Sequence, residues 1–361
     1  MAGRHSKDEK FMARALELAE LGRGCTGANP LVGAVVVRDG KIIGEGYHRR
    51  CGEAHAEVNA LASVGDPELL RGSSLYVSLE PCHHWGKTPP CTKAIVESGI
   101  SRVVFAACEE HGKASGGGAY LAGEGIQVVS GLLEEEAVEQ NRIFFTGIRH
   151  HRPYVTVKGA VSLDGFLATS SGQSQWITSE EARRDGHRLR GQVDAILVGT
   201  GTVLADDPQL TNRSGEGTQP LRVVLDRRGR IPPTAKIFGG EAKTLVITTR
   251  EDHHFSERML LTEGEWQLST ILELLKDRGV HHLMVEGGAR LLGSFFQEDL
   301  VDEFRLYYAP FFMGEGRKLL EGFGLEELRQ RRDFGHIEAT VLTDGSGNIR
   351  VEGRRNVYRA R

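Results

Sequence analysis

No apolar run in this sequence approaches the roughly 20 residues that a bilayer-spanning helix needs, so no membrane segment is expected. The N-terminal stretch MAGRHSKDEKFMARALELAELG passes from polar to amphipathic without the apolar core of a signal peptide, which points to a cytoplasmic protein. Basic excess is missing too: 45 Lys and Arg against 49 Asp and Glu leave a net charge of −4. With a pI near 6.4 the chain carries no electrostatic footprint for nucleic acid, and a small-molecule substrate is favoured. Cysteine is scarce and odd in number, five in 361 residues, which fits a reducing compartment where clustered thiols serve metal or catalysis more often than disulfides. The GxGxxG turn of the usual dinucleotide-binding fold is absent from the second half.

Against these absences stands a chain of ordinary globular composition, 39% hydrophobic and 26% charged, long enough for two domains. Apolar residues at Phe11, Ala15, Leu18 and Ala19 predict a helix from Lys7 to Leu21. LVGAVVVR and KIIGEGYH, joined by Asp39-Gly40, predict a β-hairpin. Helical HAEVNALASV, strand SSLYVSLE, helical CTKAIVESG and strand RVVFAA follow, so the domain is α/β. A helix near Leu132 to Ile148 closes it, and the basic segment His150 to Pro153 marks the boundary, giving domains 1–149 and 150–361. The second domain begins a new α/β series with YVTVKGAVSLDGFLA. The glycines at 116–118 and the run Ser214 to Gln219 read as loops.

Two of the five cysteines lie in LEPCHHWGKTPPC, Leu79 to Cys91. Catalytic zinc takes three protein ligands and leaves a position for water, whose pKa it lowers until hydroxide is available near neutral pH. Cys82 and Cys91 supply two thiolates, the second near a helix start that favours its ionised form. His55-Ala56-Glu57 supplies an imidazole and a carboxylate able to shuttle protons beside the ion. A closed structural site would need a fourth protein ligand, for which His83, His84 or Cys51 are available. HxE followed by PC and a second cysteine is the zinc-deaminase signature, normally with two residues between the cysteines; here eight intervene.

GANPLVGAVVV, GEAHAEVNAL and LEPCHHWGKTPPC resemble the deaminase half of the bifunctional riboflavin-biosynthesis deaminase-reductases, in which the longer spacing and the GKTPPC ending are characteristic. The resemblance implies a cytidine-deaminase-like α/β/α domain with a mixed sheet, zinc on His55, Cys82 and Cys91, Glu57 as proton shuttle and Asn29 as a pyrimidine contact. His48 and Lys87 are further substrate candidates, since an amide edge and a phosphate both need donors. His83, His84 and Trp85 are read as pocket wall or as residues that support the metal ligands from behind. Where the family usually carries DPNP this chain has CEEHGKASGGG, Cys108 to Gly118, and His83 stands where serine is commoner.

VTVKGAVSLDGFLAT, SQWITS, HRLRGQVDAILVGTGTVLADDPQLTNR and VEGGARL resemble, in order, the reductase half of the same family, with its dihydrofolate-reductase-like α/β fold. The implied reaction is NADPH reduction of a ribosylamino to a ribitylamino group. The implied substrate contacts are Lys158, Ser174, Arg190, Leu210, Arg213 and Glu286, and the implied cofactor contacts Ala160, Asp164, Trp176, Gly199, Thr202, Asp206 and the turn from Gly287 and Gly288 to Ser294. Arg190 and Arg213 suit a phosphate, Glu286 suits ribose hydroxyls. Phe166 replaces a commonly basic residue, and Arg227 replaces a small polar one, where a cation suits the extra phosphate of NADPH. The family also implies a homo-oligomer acting on a phosphoribosyl-pyrimidine. Two other readings are a nucleic-acid-editing deaminase with an appended binding domain, disfavoured by the acidic pI and the wide cysteine gap, and a degenerate nucleotide-binding protein with structural zinc.

Overall fold

The computed structural model describes residues 7–86, 89–108, 115–251 and 257–355. The chain divides between His150 and His151 into two units, each with its own large sheet. Among the described residues no helix is long and apolar enough to cross a membrane.

In the first unit the apolar stretches build β1 (Gly33–Arg38), β2 (Lys41–Tyr47), β3 (Ser74–Leu79), β4 (Arg102–Ala107) and β5 (Gln127–Ser130), ordered β2-β1-β3-β4-β5. β1 runs antiparallel to β2 and β3, whereas β3, β4 and β5 are parallel, so the sheet is mixed. Asp39 and Gly40 both take the left-handed φ, 51° and 73°, that a tight two-residue hairpin requires. Close approaches fix a helix on each face. A Cβ on Gly33 would lie 2.0 Å from the Ala15 carbonyl oxygen of α1 (Lys7–Glu20), and one on Gly46 would lie 2.6 Å from the Ala56 carbonyl oxygen of α2 (Ala56–Ala62). Gly46 is registered against Ala34, the neighbour of Gly33, and successive strand residues face opposite sides. The sheet is therefore sandwiched between α1 and α2.

Two sequence expectations give way here. The glycines at 116–118, read as a loop, instead cap and open a helix: after α3 (Cys91–Ser98) comes α4 (Gly117–Gly123), with Gly116 at its N-cap. Contact, not propensity, selects them, because a Cβ on Gly117 would fall 1.8 Å from the Pro81 carbonyl oxygen. The single helix expected near Leu132 to Ile148 is two, α5 (Glu134–Gln140) and α6 (Arg142–His150). Asn141 separates them, buried, its Oδ1 accepting from the Leu31 amide at 2.7 Å and its Nδ2 donating to the Leu31 carbonyl at 2.9 Å. A side chain spent on remote backbone in this way favours a helix end.

The second unit contains β6 (Tyr154–Ser162), β7 (Phe166–Ala168), β8 (Ala195–Gly199), β9 (Leu221–Leu225), β10 (Thr244–Thr248), β11 (Arg258–Leu260), β12 (His282–Glu286), β13 (Glu303–Ala309), β14 (Arg317–Lys318), β15 (Gly335–Val341) and β16 (Ile349–Arg354). Nine of these form a sheet in the order β11-β10-β9-β8-β12-β6-β13-β16-β15, and β7 pairs with β14 apart from it. From β11 to β13 the strands are parallel; β16 is antiparallel to both of its neighbours. The central parallel strands are buried along almost their whole length, which is why they read as unbroken apolar runs and not as alternation. The helices are α7 (Glu180–Arg190), α8 (Thr200–Asp206), α9 (Leu268–Asp277) and α10 (Ala289–Gln297). Arg152, from the basic segment at the boundary, is buried in a forked pair with Asp302, at 2.5 and 2.7 Å.

Candidate active sites

In the first unit the metal-type donors converge because three elements begin or end together. His55 is the N-cap of α2; its carbonyl accepts from the Asn59 amide, and the Asn59 side chain donates to the carbonyls of Tyr47 and Ala54, tying the helix start to the end of β2. Cys91 is the first residue of α3, and its amide donates to Cys82 Sγ at 3.3 Å. His55 Nδ1 lies 3.2 Å from Cys91 Sγ and 3.5 Å from Cys82 Sγ, and the three donor atoms all fall within 4.8 Å of one another. Hydrogen bonding between the two sulfurs lowers the Cys82 thiol and raises that of Cys91. Two soft sulfurs and an imidazole suit zinc. Among the described residues no fourth His, Cys, Asp or Glu joins this group.

Glu57 stays outside that donor group yet is 3% exposed. Burial pushes its carboxyl up to about 7, assisted by the negative Cys82, a value at which it can both hold and release a proton near neutrality. It opens onto a cavity of about 340 Å³ that Asn29, His48, His55, Cys82, His84 and Phe144 also line. Asn29 Nδ2 lies 3.0 Å from His48 Nε2, and His48 Nδ1 lies 3.3 Å from the Ala54 carbonyl. The imidazole therefore donates to Ala54 and accepts from Asn29, leaving the Asn29 carbonyl oxygen for a ligand. Burial lowers the His48 pKa, in keeping with a neutral ring. His84 is on the wall, with its Nδ1 buried and unpartnered. His83 is not: it bonds Thr92 Oγ1 at 3.0 Å and stacks on Tyr120. Trp85 is 73% exposed. Lys87 and residues 109–114 of the departing stretch lie outside the described residues.

In the second unit the β6–β12 register sets Lys158 beside Glu286. Lys158 Nζ donates to Glu286 Oε1 at 2.9 Å, and Arg190, at the end of α7, donates to both carboxylate oxygens at 2.9 and 3.1 Å. These two cations hold the half-buried Glu286 carboxyl far below its ordinary range despite its desolvation. The fork of Arg190 is thus turned onto Glu286, with Nη1 on the Thr211 carbonyl. Arg213 is exposed and touches His187 and Gln209. Leu210 puts its side chain in the core, with a left-handed φ of 53°.

A groove of about 1010 Å³ passes Ser174, Gly199, Thr202, Asp206 and Gly288 at the carboxyl ends of the parallel strands, the usual ligand edge of such sheets. Gly287 and Gly288 take φ of 70° and 77° against Thr202, so the backbone there is bare. Ala160, Asp164 and Trp176 are not on this lining. Ala160 packs with Tyr307, Trp176 is exposed with Arg183 over its ring at 4.4 Å, and the Asp164 carboxylate accepts from the Met313 and Gly314 amides and Ser162 Oγ. Sequence reasoning missed Arg230, Trp266 and Arg317, which do line the groove.

These units define a two-headed enzyme, a hydrolytic deaminase of cytidine-deaminase-like fold joined to an oxidoreductase of dihydrofolate-reductase-like fold. Residues 5–107 match the family described as "Cytidine and deoxycytidylate deaminase zinc-binding region", and residues 153–341 match "RibD C-terminal domain". The chain is 46% identical to the riboflavin biosynthesis protein RibD of Aquifex aeolicus over 86% of its own length and 88% of the relative, and 42% identical to that of Escherichia coli over 91% and 95%. A solved diaminohydroxyphosphoribosylaminopyrimidine deaminase/5-amino-6-(5-phosphoribosylamino)uracil reductase from Thermotoga maritima, 37% identical, superposes with a TM-score of 0.82 over 97% of this chain and 99% of that one. The RibD of Acinetobacter baumannii, 36% identical, gives 0.83 over 96% and 98%. The chain belongs to the RibD family of bifunctional riboflavin-biosynthesis deaminase-reductases. Zinc and a nicotinamide cofactor are implied by its two halves.

Proposed function

We propose that the first unit hydrolyses an exocyclic amino group from 2,5-diamino-6-ribosylamino-4(3H)-pyrimidinone 5′-phosphate, and that the second reduces the ribosyl side chain of the product to ribityl with NADPH. The observation that carries this reading is the group His55, Cys82 and Cys91 with the buried Glu57 beside it and outside it. Bound there, zinc would supply Lewis acidity that makes water ionise near neutral pH. Glu57 takes a proton from the attacking water and returns it to the departing ammonia, while Asn29, held by His48, accepts from the pyrimidine edge. Lys87 is retained as a phosphate contact. Incubating the pyrimidine phosphate with and without NADPH, and following product mass, tests both halves at once: a deaminated ribosyl product without NADPH and a ribityl product with it are expected.

The purified protein is expected to carry about one zinc per chain. Stripping the ion with a chelator should end ammonia release and leave NADPH oxidation on deaminated substrate intact, measured by metal analysis and the two assays side by side.

In the second unit Lys158, Arg190 and Glu286 form the floor on which the ribose sits, with Glu286 accepting from its hydroxyls, and Arg213 meets the phosphate. Ser174 and Leu210 complete that contact set, the latter through its backbone. The cofactor occupies the groove past Gly199, Thr202, Asp206 and Gly287-Gly288, where bare backbone can approach phosphates; Ala160, Asp164 and Trp176, which lie off that lining, are retained as further cofactor contacts. A choice of NADPH is supported by a cavity of about 490 Å³ lined by Arg227, Arg228, Arg250 and Glu263. Arg227 pairs with Glu263 there and lies 5.7 Å from the ring of the groove residue Trp266. Arg227→Ala is expected to raise KM for NADPH roughly tenfold, the scale of one hydrogen bond to a charged group, and to leave KM for NADH alone; equal changes for both would assign the 2′-phosphate elsewhere. The cytoplasm and a homo-oligomeric state fit the same reading. Support for association comes from β15, an end strand of the sheet with Ile337 and Val341 exposed.

A further inference from the structure

In the reductase unit one histidine touches both Arg213 and the backbone carbonyl that also accepts from Arg190. His187, on the same helix as Arg190 and one turn before it, is half-buried. Its Nε2 lies 3.0 Å from Arg213 Nη2 and its Nδ1 lies 3.1 Å from the Thr211 carbonyl oxygen. The same carbonyl accepts from Arg190 Nη1 at 3.1 Å. A guanidinium has only donors, and a carbonyl only accepts. The ring that satisfies both neighbours is therefore neutral, protonated at Nδ1 and bare at Nε2. The Arg213 backbone N–H is also directed at Nδ1, 3.2 Å away; it is the Nε2 contact, where the guanidinium offers only donors, that requires a bare ring nitrogen.

The charged groups around the ring agree. Arg190 on its own helix and Arg213 on the facing segment repel an imidazolium, Glu286 on β12 attracts one, and burial opposes it; together they hold the ring at about 4, neutral at any working pH. Arg213 is otherwise exposed, with Gln209 Oε1 at 3.3 Å as its other side-chain partner. An exposed arginine samples many rotamers, and the cost of ordering it falls on ligand binding unless something holds it beforehand.

We propose that His187 is a positioning residue for the reductase reaction: an acceptor that fixes one edge of the Arg213 guanidinium, presents the other to the substrate phosphate, and links it through the Thr211 carbonyl to the Arg190–Glu286 pair. It is not on the lining of the groove assigned to the cofactor. The inference rests on the reading of Arg213 as the phosphate contact, and the test separates the two.

The readout is the ratio of reductase kcat/KM for the deaminated phosphoribosyl pyrimidine over that for the same compound without its phosphate, in the full-length enzyme. His187→Phe keeps the ring volume and removes the acceptor; the ratio should fall roughly 10- to 100-fold, the scale of a hydrogen bond to a charged group, through KM for the phosphorylated substrate and not through kcat. His187→Gln, whose Oε1 reaches the place of Nε2, should restore it to within about threefold. His187→Leu makes the same comparison if the Phe variant does not fold. Arg213→Ala should collapse the ratio as well. If it does so while His187→Phe leaves the ratio unchanged, or if His187→Gln is as damaging as His187→Phe, the positioning role is overturned. If Arg213→Ala itself leaves the ratio intact, the phosphate-contact reading fails, and with it the role of His187.

Discussion

Replacing Glu57 by Gln should lower ammonia release by about 10²- to 10⁴-fold, the usual contribution of a positioned general acid–base, and leave NADPH oxidation on deaminated substrate at its normal rate. The substitution preserves shape and removes only the ability to take up and return a proton. Glu57 lies outside the three-donor group, so zinc content should not change, and equal metal in the two proteins is the control that separates proton transfer from lost coordination. The buried position strengthens the expectation: with 3% of the residue exposed, bulk water has little access through which to substitute for the missing carboxylate. Full ammonia release by the Gln variant would show that another group carries the proton.

Arg190→Ala should do the converse, cutting reductase kcat/KM by on the order of 10²- to 10³-fold while ammonia release continues. Its guanidinium and Lys158 Nζ together neutralise a carboxylate that burial alone would drive towards protonation. Losing one member of a largely desolvated, hydrogen-bonded charge set costs about 2–5 kcal/mol, much of it from the partner left behind. The same truncation frees the Thr211 carbonyl of one of its two donors. Arg190→Lys keeps the charge and loses the fork, so it should fall between the two. Steady-state assays of both activities, alongside a melting curve for each variant, distinguish a damaged site from a damaged fold.

What could be read from the residues, and what could not, follows from how far each signal reaches along the chain. Asp39-Gly40 dictates a hairpin locally, and the structure has it there. The residues named for the ion, His55, Cys82 and Cys91, lie together; they are legible because soft donors in such a pattern have few other uses. Gly117 is different: glycine opens this helix because any Cβ there would meet the Pro81 carbonyl oxygen, which no local rule foresees. Within the reductase unit, Lys158 and Glu286 are neighbours by strand register, a tertiary fact, while Arg230, Trp266 and Arg317 reach the groove from segments with no shared motif. Asp164 has three donors of its own in the protein, and the Leu210 side chain belongs to the core, so for both the sequence names a position without disclosing which atoms remain for a ligand.

The clasp of Asn141 on Leu31 bears on how this protein could be dissected. The match to the deaminase family stops at residue 107, which tempts one to excise a minimal catalyst there. Such a fragment would discard both the amide that secures the backbone two residues after Asn29 and the Phe144 ring that borders the same cavity. A stand-alone deaminase cut from this chain must therefore keep α5 and α6, whose sequence carries no deaminase signature of its own.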